Sequence, residues 1–281
     1  MKFSEFKYER PNFDQYKATM TSLIDQFKVA SSASEQLNIV TEINETRNHI
    51  ETMATLASIR HSIDTRDEFY DAEQNYWDEY GPLYEEINSL FYDAVVSSPY
   101  RNELEEKLSK QFFTILDYRL KAFSPEIIAD LQEENKLSSQ YTKLLASAKI
   151  PFDGEERTLP GMGKYLLSED RTVREAASKA KYAFFEEHEA EIDEIYDQLV
   201  KVRTRIAKKL GFNNFVELGY VRMTRSDYNP EMVENFRKQV LDYIVPVATS
   251  LYNRQEARLG YGTLRYFDEK FEFTTGNATP K

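Results

Sequence analysis

Cysteine is absent from all 281 residues, which excludes disulfides, Cys-bound zinc and cysteine nucleophiles. Glycine is scarce: there are nine, and Gly81 is alone before residue 150. All-β chains need many turns of the kind glycine eases, so the first half is expected to be helical. No stretch approaches the roughly 20 consecutive apolar residues of a membrane-spanning helix. The opening MKFSEFKYERPNFDQYK also lacks the apolar run of a secretion signal. Positive charge is in deficit, with 36 Lys and Arg against 48 Asp and Glu, a net −12. A phosphate backbone would be repelled by such a surface. These absences point to a cytoplasmic protein that binds neither nucleic acid nor membrane. What remains is apolar enough to fold. Hydrophobic residues make up 41%, with 19 Tyr and 18 Phe, so the chain reads as globular, with one large domain or two ordinary ones.

The apolar spacing is helical. From Leu37, apolar residues recur at Val40, Ile43, Ile50, Met53, Leu56 and Ile59, one face of a helix running to about Ile63. Ser32 and Glu35 have the spacing of a capping box at its start. A second long helix begins near Asp67, and Pro82 is expected to kink or break it, because proline lacks a donor and crowds the preceding turn. Helices are also read over 101–123 and 124–148, the latter opened by Ser124-Pro125-Glu126, a cap, a first-turn proline and an acid. The texture then changes. KIPFDGEERTLPGMGKYLLSEDR concentrates Gly and Pro, and FDGEERTL suggests a short hairpin turning at Asp153-Gly154. Helices follow from about Asp170 to Glu187 and on to Leu210, with Gly211 as the terminator. A last long helix covers about Pro230 to Leu259, bent at Pro246, before an irregular tail. The class is all-α with one hairpin.

Three stretches invite a chemical reading. HEAEI, from His188, is one residue short of the zinc-protease pattern H-E-x-x-H, in which two His hold the metal and a Glu is the base. His49 and His61 are the only other histidines, and a carboxylate could replace one ligand, but the flanking EEHEAEIDEIYD has the composition of a solvated acidic helix face, which is the reading adopted. SIRHSIDTRDEFYDAEQNYWDEY gathers Arg60, His61, Asp64, Arg66, Asp67, Tyr70 and Tyr76 where two long helices meet. It fits either a polar wall that grips a peptide or an interhelix corner cross-linked by Arg–Asp pairs. KVRTRIAKKLG carries five cations and suits a helix C-terminus, where the dipole favours them.

At KLGFNNFVELGYVRMTRSDYNPEMVENFRKQV the sequence resembles the oligoendopeptidase F branch of the thimet-oligopeptidase superfamily. MKFSEFKYERP, RHSIDTRDEFYDAE, IPFDGEERTLPGMGKYLLSEDRTVREAASKA and YFDEKFEFTTGNATPK are similar to family landmarks in family order, so the resemblance spans the chain. It implies the N-terminal half of a zinc metallopeptidase whose helical fold closes around a channel that admits oligopeptides. The zinc motif of that family lies beyond the GNATPK-like segment, so zinc is implied for the intact family protein, and neither bound zinc nor activity is expected of this chain alone. No catalytic or metal-binding residue carries over. The resemblance implies an N-terminal helical domain over 1–123, a connecting helix and hairpin over 124–168, and the start of the catalytic domain over 169–281. It implies an oligopeptide substrate and a C-terminal half as partners. Arg60, His61, Tyr70, Tyr76, Tyr220 and Arg222 are the candidates for lining the channel. The uncovered apolar faces of such a half are expected after Asp170, around Phe184, Phe185, Phe212, Phe215, Tyr220 and Tyr243, and on the tail from Tyr261 to Phe273. The competing reading is a non-catalytic helical module that binds peptides or a partner.

Overall fold

The structure, a computed structural model, describes residues 2–277. Residues 278–281 of the GNATPK landmark, and with them the end of the 169–281 region, lie outside the described residues. Eleven α-helices and one hairpin are present among the described residues, the all-α class expected. Their residues divide into two compact units, Met1–Thr142 with Ile195–Asp227, and Lys143–Glu194 with Tyr228–Lys281.

The first unit is founded on α1 (Phe13–Val29), α2 (Ala33–Ile63) and α3 (Glu68–Val96), which pack on one another pairwise. Each starts at a side-chain cap. Asn12 accepts from Gln15 N, Ser32 from Glu35 N, and Asp67 from Phe69 N and Tyr70 N, satisfying donors that a helix start leaves open. The return arm of the capping box reaches one residue further back, with Ser31 N donating to Glu35 Oε2. Met20, Phe27, Ile43, Ala57, Phe91 and Val95 are fully buried between these helices. α4 (Arg101–Leu108) and α5 (Lys110–Lys121) add Leu104 and Phe113 to the same core. The single helix expected over 101–123 is therefore broken. Ser109 takes a left-handed φ of 83° and its hydroxyl caps α5 by accepting from Phe112 N, so the serine acts as a joint.

α3 runs through Pro82 without the break that was one of the two outcomes expected. Pro82 has no N–H for the carbonyl four residues back, that of Asp78. The Asp78 carbonyl instead accepts from Asn135 Nδ2 at 3.1 Å, and its neighbour Glu79 O from Gln132 Nε2 at 2.8 Å. Both amides come from α6 (Ile128–Ala146), which follows a 3-10 turn capped by Ser124. A side chain distant in sequence thus supplies the one donor that proline lacks, and a second adds a bond to the carbonyl beside it. A second core in this unit joins Ile127 and Leu137 to Val202 and Ile206 of α8 (Glu189–Lys209) and Leu218 of α9 (Phe215–Arg222).

In the second unit, β1 (Ile150–Phe152) pairs antiparallel with β2 (Glu155–Arg157). Asp153 and Gly154 turn the hairpin with φ of 53° and 73°, the two positive values that a tight two-residue turn requires. Ile150 packs with Ala148, Met162 and, from α7 (Arg171–Glu187), Ala177 and Phe184. The last long helix is interrupted. α10 (Pro230–Gln239) passes into a π-helical segment, Val240–Ile244, before α11 (Val245–Leu259). Pro246 lies just beyond that wider turn and, having no N–H, cannot donate to the Asp242 carbonyl four residues back.

The tail after Gly260 is irregular but anchored. Asp268, fully buried, receives Arg174 Nη2 at 2.8 Å, Arg171 Nη2 at 2.8 Å and Arg265 N at 3.0 Å. Arg174 is itself fully buried, lies 4.1 Å over the Phe271 ring and donates through Nη1 to Ser168 O at 2.7 Å. Gln255 Nε2 donates to Phe271 O at 2.8 Å.

Candidate functional site

Four of the six sequence-predicted site residues stand at one corner of the first unit. Arg60 and His61 occupy the last turn of α2, and Tyr70 and Tyr76 the first turns of α3. A third component, the extended segment of residues 6–12, is laid against them. Arg60 Nη1 donates to Tyr70 Oη at 2.6 Å, and its Nη2 donates to the Phe6 carbonyl. His61 is buried, with Nε2 3.3 Å from Asp71 Oδ1. Tyr76 stacks on Tyr80 at 4.4 Å between centroids, and its hydroxyl meets that of Tyr84 at 3.1 Å.

The hub of this corner is a residue the sequence did not single out. Glu73 is 3% exposed. It receives Arg10 through Nη2 at 2.6 Å and Nε at 3.0 Å, and also the Tyr8 hydroxyl, which in turn accepts from Trp77 Nε1 at 3.2 Å. Burial alone would raise the Glu73 pKa. The hydrogen bonds from Arg10 and Tyr8 outweigh it and hold the carboxyl below its ordinary value. Burial, and then the hydrogen bond to Glu73, push the Tyr8 phenol upward. The signal was available in the spacing. Tyr8 and Arg10 alternate on one side of an extended strand, and Glu73 and Trp77 lie four apart on one face of α3.

Glu73→Gln should therefore loosen the N-terminal segment. It removes the charge-assisted fork to Arg10, a contribution of about 1–2 kcal/mol once solvent screening of the half-exposed arginine is allowed for. Faster amide exchange and proteolysis confined to residues 2–12 would register it, and unchanged protection there would refute it. Because the Glu73 pKa is depressed, this contribution is present above the unfolded carboxyl pKa and is lost as pH falls through the lower folded value.

Tyr220 and Arg222 sit apart from that corner, on α9. Arg222 Nη1 donates to Glu134 Oε2 at 2.9 Å, and Arg203 Nε to Glu134 Oε1 at 2.7 Å, with Phe215 under both guanidinium groups at 5.8 and 5.6 Å. One turn earlier on α6, Asp130 receives Arg205 Nε and Lys209 Nζ, each at 2.6 Å. Burial opposes ionisation of Asp130, yet these two bonds keep its pKa low. Arg225 lies 4.8 Å over the Tyr220 ring. The cations of KVRTRIAKKLG thus serve largely as partners for α6 carboxylates. Neither the Glu134 nor the Asp130 pairing was anticipated. Their signal is the i, i+3, i+4 run of acids at 130, 133 and 134.

The ends of the six candidates are largely engaged inside the protein, so the arrangement braces helices and leaves little free hydrogen-bonding capacity at either cluster. HEAEI is split by a helix break. His188 is the C-cap residue of α7, its Nδ1 2.8 Å from Phe184 O and its ring 4.3 Å from that of Phe184. Among the described residues no three His, Asp or Glu side chains converge as a metal-binding group, so the donors present do not fit a zinc ion. No helix among the described residues is long and apolar enough to cross a membrane.

The Peptidase M3 N-terminal domain family matches residues 3–123. A solved PZ peptidase A with an inhibitor is 55% identical, with a TM-score of 0.97 over all of this chain and 50% of its own. A structure described as an oligoendopeptidase F from Bacillus anthracis is 53% identical, with a TM-score of 0.96 over all of this chain and 52% of its own. Another described as oligoendopeptidase F is 52% identical, with a TM-score of 0.97 over all of this chain and 50% of its own. The chain thus spans about half the length of the solved relatives it matches. No curated protein matches it.

Proposed function

The chain belongs to the oligoendopeptidase F family, corresponding to its N-terminal half, and on that premise we propose that it forms part of a zinc-dependent endopeptidase that hydrolyses oligopeptides in a closed helical channel. The observation that carries this reading is the agreement of fold over the whole chain at more than half identity with peptidases. On this reading residues 1–123 form the N-terminal domain, 124–168 connect, and 169–281 begin the catalytic domain. The match over residues 3–123 supports the first of these.

On this reading a metal would be held by the other half of the family protein, and the described residues of this half offer no converging ligand group. The contribution of this half is a wall. The corner of Arg60, His61, Tyr70 and Tyr76, locked by Glu73, fixes the N-terminal helices, and Tyr220 and Arg222 are fixed on α9 through Arg225 and Glu134. Half-buried tyrosines suit a surface that meets peptides, because each offers an apolar body and a polar tip. The working compartment on this reading is the cytoplasm, and a cysteine-free chain needs no oxidising environment.

The lack of a metal-ligand group among the described residues favours one competing reading, a non-catalytic helical module that holds peptides without cutting them. Turnover separates the two. The chain alone should bind no stoichiometric zinc and should not cleave a quenched fluorescent oligopeptide. The chain co-expressed with the second half of the Bacillus anthracis relative should cleave it, and a chelator should abolish that cleavage. Chelator-sensitive turnover by the chain alone, or an inert reconstituted pair, would overturn the proposal.

A further inference from the structure

Among the described helices of ten or more residues, α10 alone buries no residue. From Tyr228 to Arg254 no residue is buried, and neither α10 nor the π-helical segment contributes to a core. The exposed side chains there are nevertheless large and apolar: Phe236 at 64%, Leu241 at 64%, Tyr243 at 70%, with Met232, Ile244, Val247, Leu251 and Tyr252. Helical spacing puts Met232, Phe236, Val240, Tyr243, Val247 and Leu251 in one row, and Val233, Ile244, Ala248 and Tyr252 in a row beside it. The other side of α10 is polar, through Glu231, Glu234, Asn235, Arg237, Lys238 and Gln239, whereas from Val240 to Ala248 the one charged residue is Asp242. The apolar face is therefore one side of α10 and widens to more than half of the circumference over 240–248. Such a helix belongs in an interior, and a continuous patch of this kind on a monomer marks an interface.

We infer that residues 230–252 are the seam onto which the other half of the family protein packs. The inference rests on the reading of this chain as one half of an oligoendopeptidase F-type enzyme. Two observations select that occupant. The solved relatives have this fold in one half of their length, with as much chain again outside it. Over 240–248 the face is also too wide for a single flat contact. A second copy related by a two-fold axis would lay one helix against another and leave much of the circumference wet, whereas a polypeptide of family size can enclose it on several sides. The π-helical segment at the middle of the seam turns Tyr243 and Ile244 outward at adjacent positions, both 59% or more exposed, giving the occupant two anchoring side chains in one place.

The test uses the full chain with the second half of the Bacillus anthracis relative, co-expressed with separate tags. Association is read by co-purification and by hydrogen exchange of amides 230–252. Phe236→Asp with Val247→Asp places two charges in the main apolar row. Since both side chains are exposed, the fold should survive, as circular dichroism would verify. Val29→Asp, at a site 82% exposed on α1, is the control. The expected result is a complex that slows exchange across 230–252, is weakened at least 100-fold by the double variant and is unchanged by the control. A complex indifferent to the double variant overturns the seam. So does a monomeric chain that binds no second half, or a chain that instead pairs with itself through this face. A complex without peptide cleavage keeps the seam and removes the peptidase reading, and cleavage that survives the double variant does the reverse.

Discussion

Asp268→Asn is expected to cost the second unit about 3–5 kcal/mol, the range for removing one partner from a buried ion pair. The carboxylate and the Arg174 guanidinium are both fully buried. Asparagine would leave that cation without its counter-charge in a place where water cannot replace it. Arg171→Gln should cost much less, because its side chain is 34% exposed. Urea unfolding followed by exchange of amides 171–187 would measure both. Equal effects of the two variants would contradict the assignment of Arg174 as the buried partner. The pH dependence has a definite sign. Burial by itself would raise the Asp268 pKa, but the bonds from Arg171 and Arg174 prevail and depress it. The stabilisation is therefore complete above the unfolded carboxyl value near about 4 and disappears as pH falls through the lower folded one. The gap between wild type and Asp268→Asn should narrow in acid, and a gap that widened there would refute the argument.

Phe91→Ala should cost the first unit a similar amount, about 3–5 kcal/mol, by lost transfer free energy and the cavity left behind. Phe91 is 1% exposed and meets Phe27 edge-to-face at 6.4 Å and Tyr92 at 5.8 Å, where α1 and α3 come together. The backbone here has little freedom to collapse into the hole. The Phe27 carbonyl accepts from Gln36 Nε2 at 2.9 Å, and Gln36 in turn accepts from the Ser98 hydroxyl at 2.6 Å. Phe91→Leu, which keeps most of the volume, should cost about 1 kcal/mol. Denaturant midpoints at constant slope, with exchange read on α1 to α3, would decide. Near-neutral Phe91→Ala would mean that this region relaxes far more than its packing implies.

What the sequence revealed and what it hid divide along range. α2 was readable from Ser32 to Ile63 because its caps and apolar spacing are local, and the hairpin was readable because Asp153-Gly154 is a turn signal in itself. The break at Ser109 was hidden, since a serine hydroxyl that caps from a left-handed backbone leaves no mark in residue spacing. The expectation of exposed faces was half right. Tyr243 and, in the tail, Tyr266 and Phe273 are exposed, but Phe271 is buried, Phe184 closes the small core under the hairpin, and Phe212 and Phe215 pack beside Val202 and Leu218. Aromatic content alone does not say which side of a helix finds a partner. The corner of Arg60, Tyr70 and Tyr76 was legible as a concentration of polar and aromatic residues. Its organising carboxylate was not, because Glu73 draws its meaning from Tyr8 and Arg10, more than sixty positions away. Asp268 and its arginines are separated by still more of the chain.

Pro82 has a consequence for how this protein could be altered. A helix-by-helix stabilisation scheme would strike it first, since proline inside a helix costs about 3 kcal/mol relative to alanine in isolation. Here the exchange would return the Asp78 carbonyl to its own ladder and take from Asn135 an acceptor it now uses. The proline acts as a keyway cut into α3. Two carbonyls are presented at one height on the helix, and two amides three residues apart on α6 enter them. A slide of α6 along α3 by one turn, about 5.4 Å, would lose both bonds together, so a residue that weakens one helix sets the axial position of another.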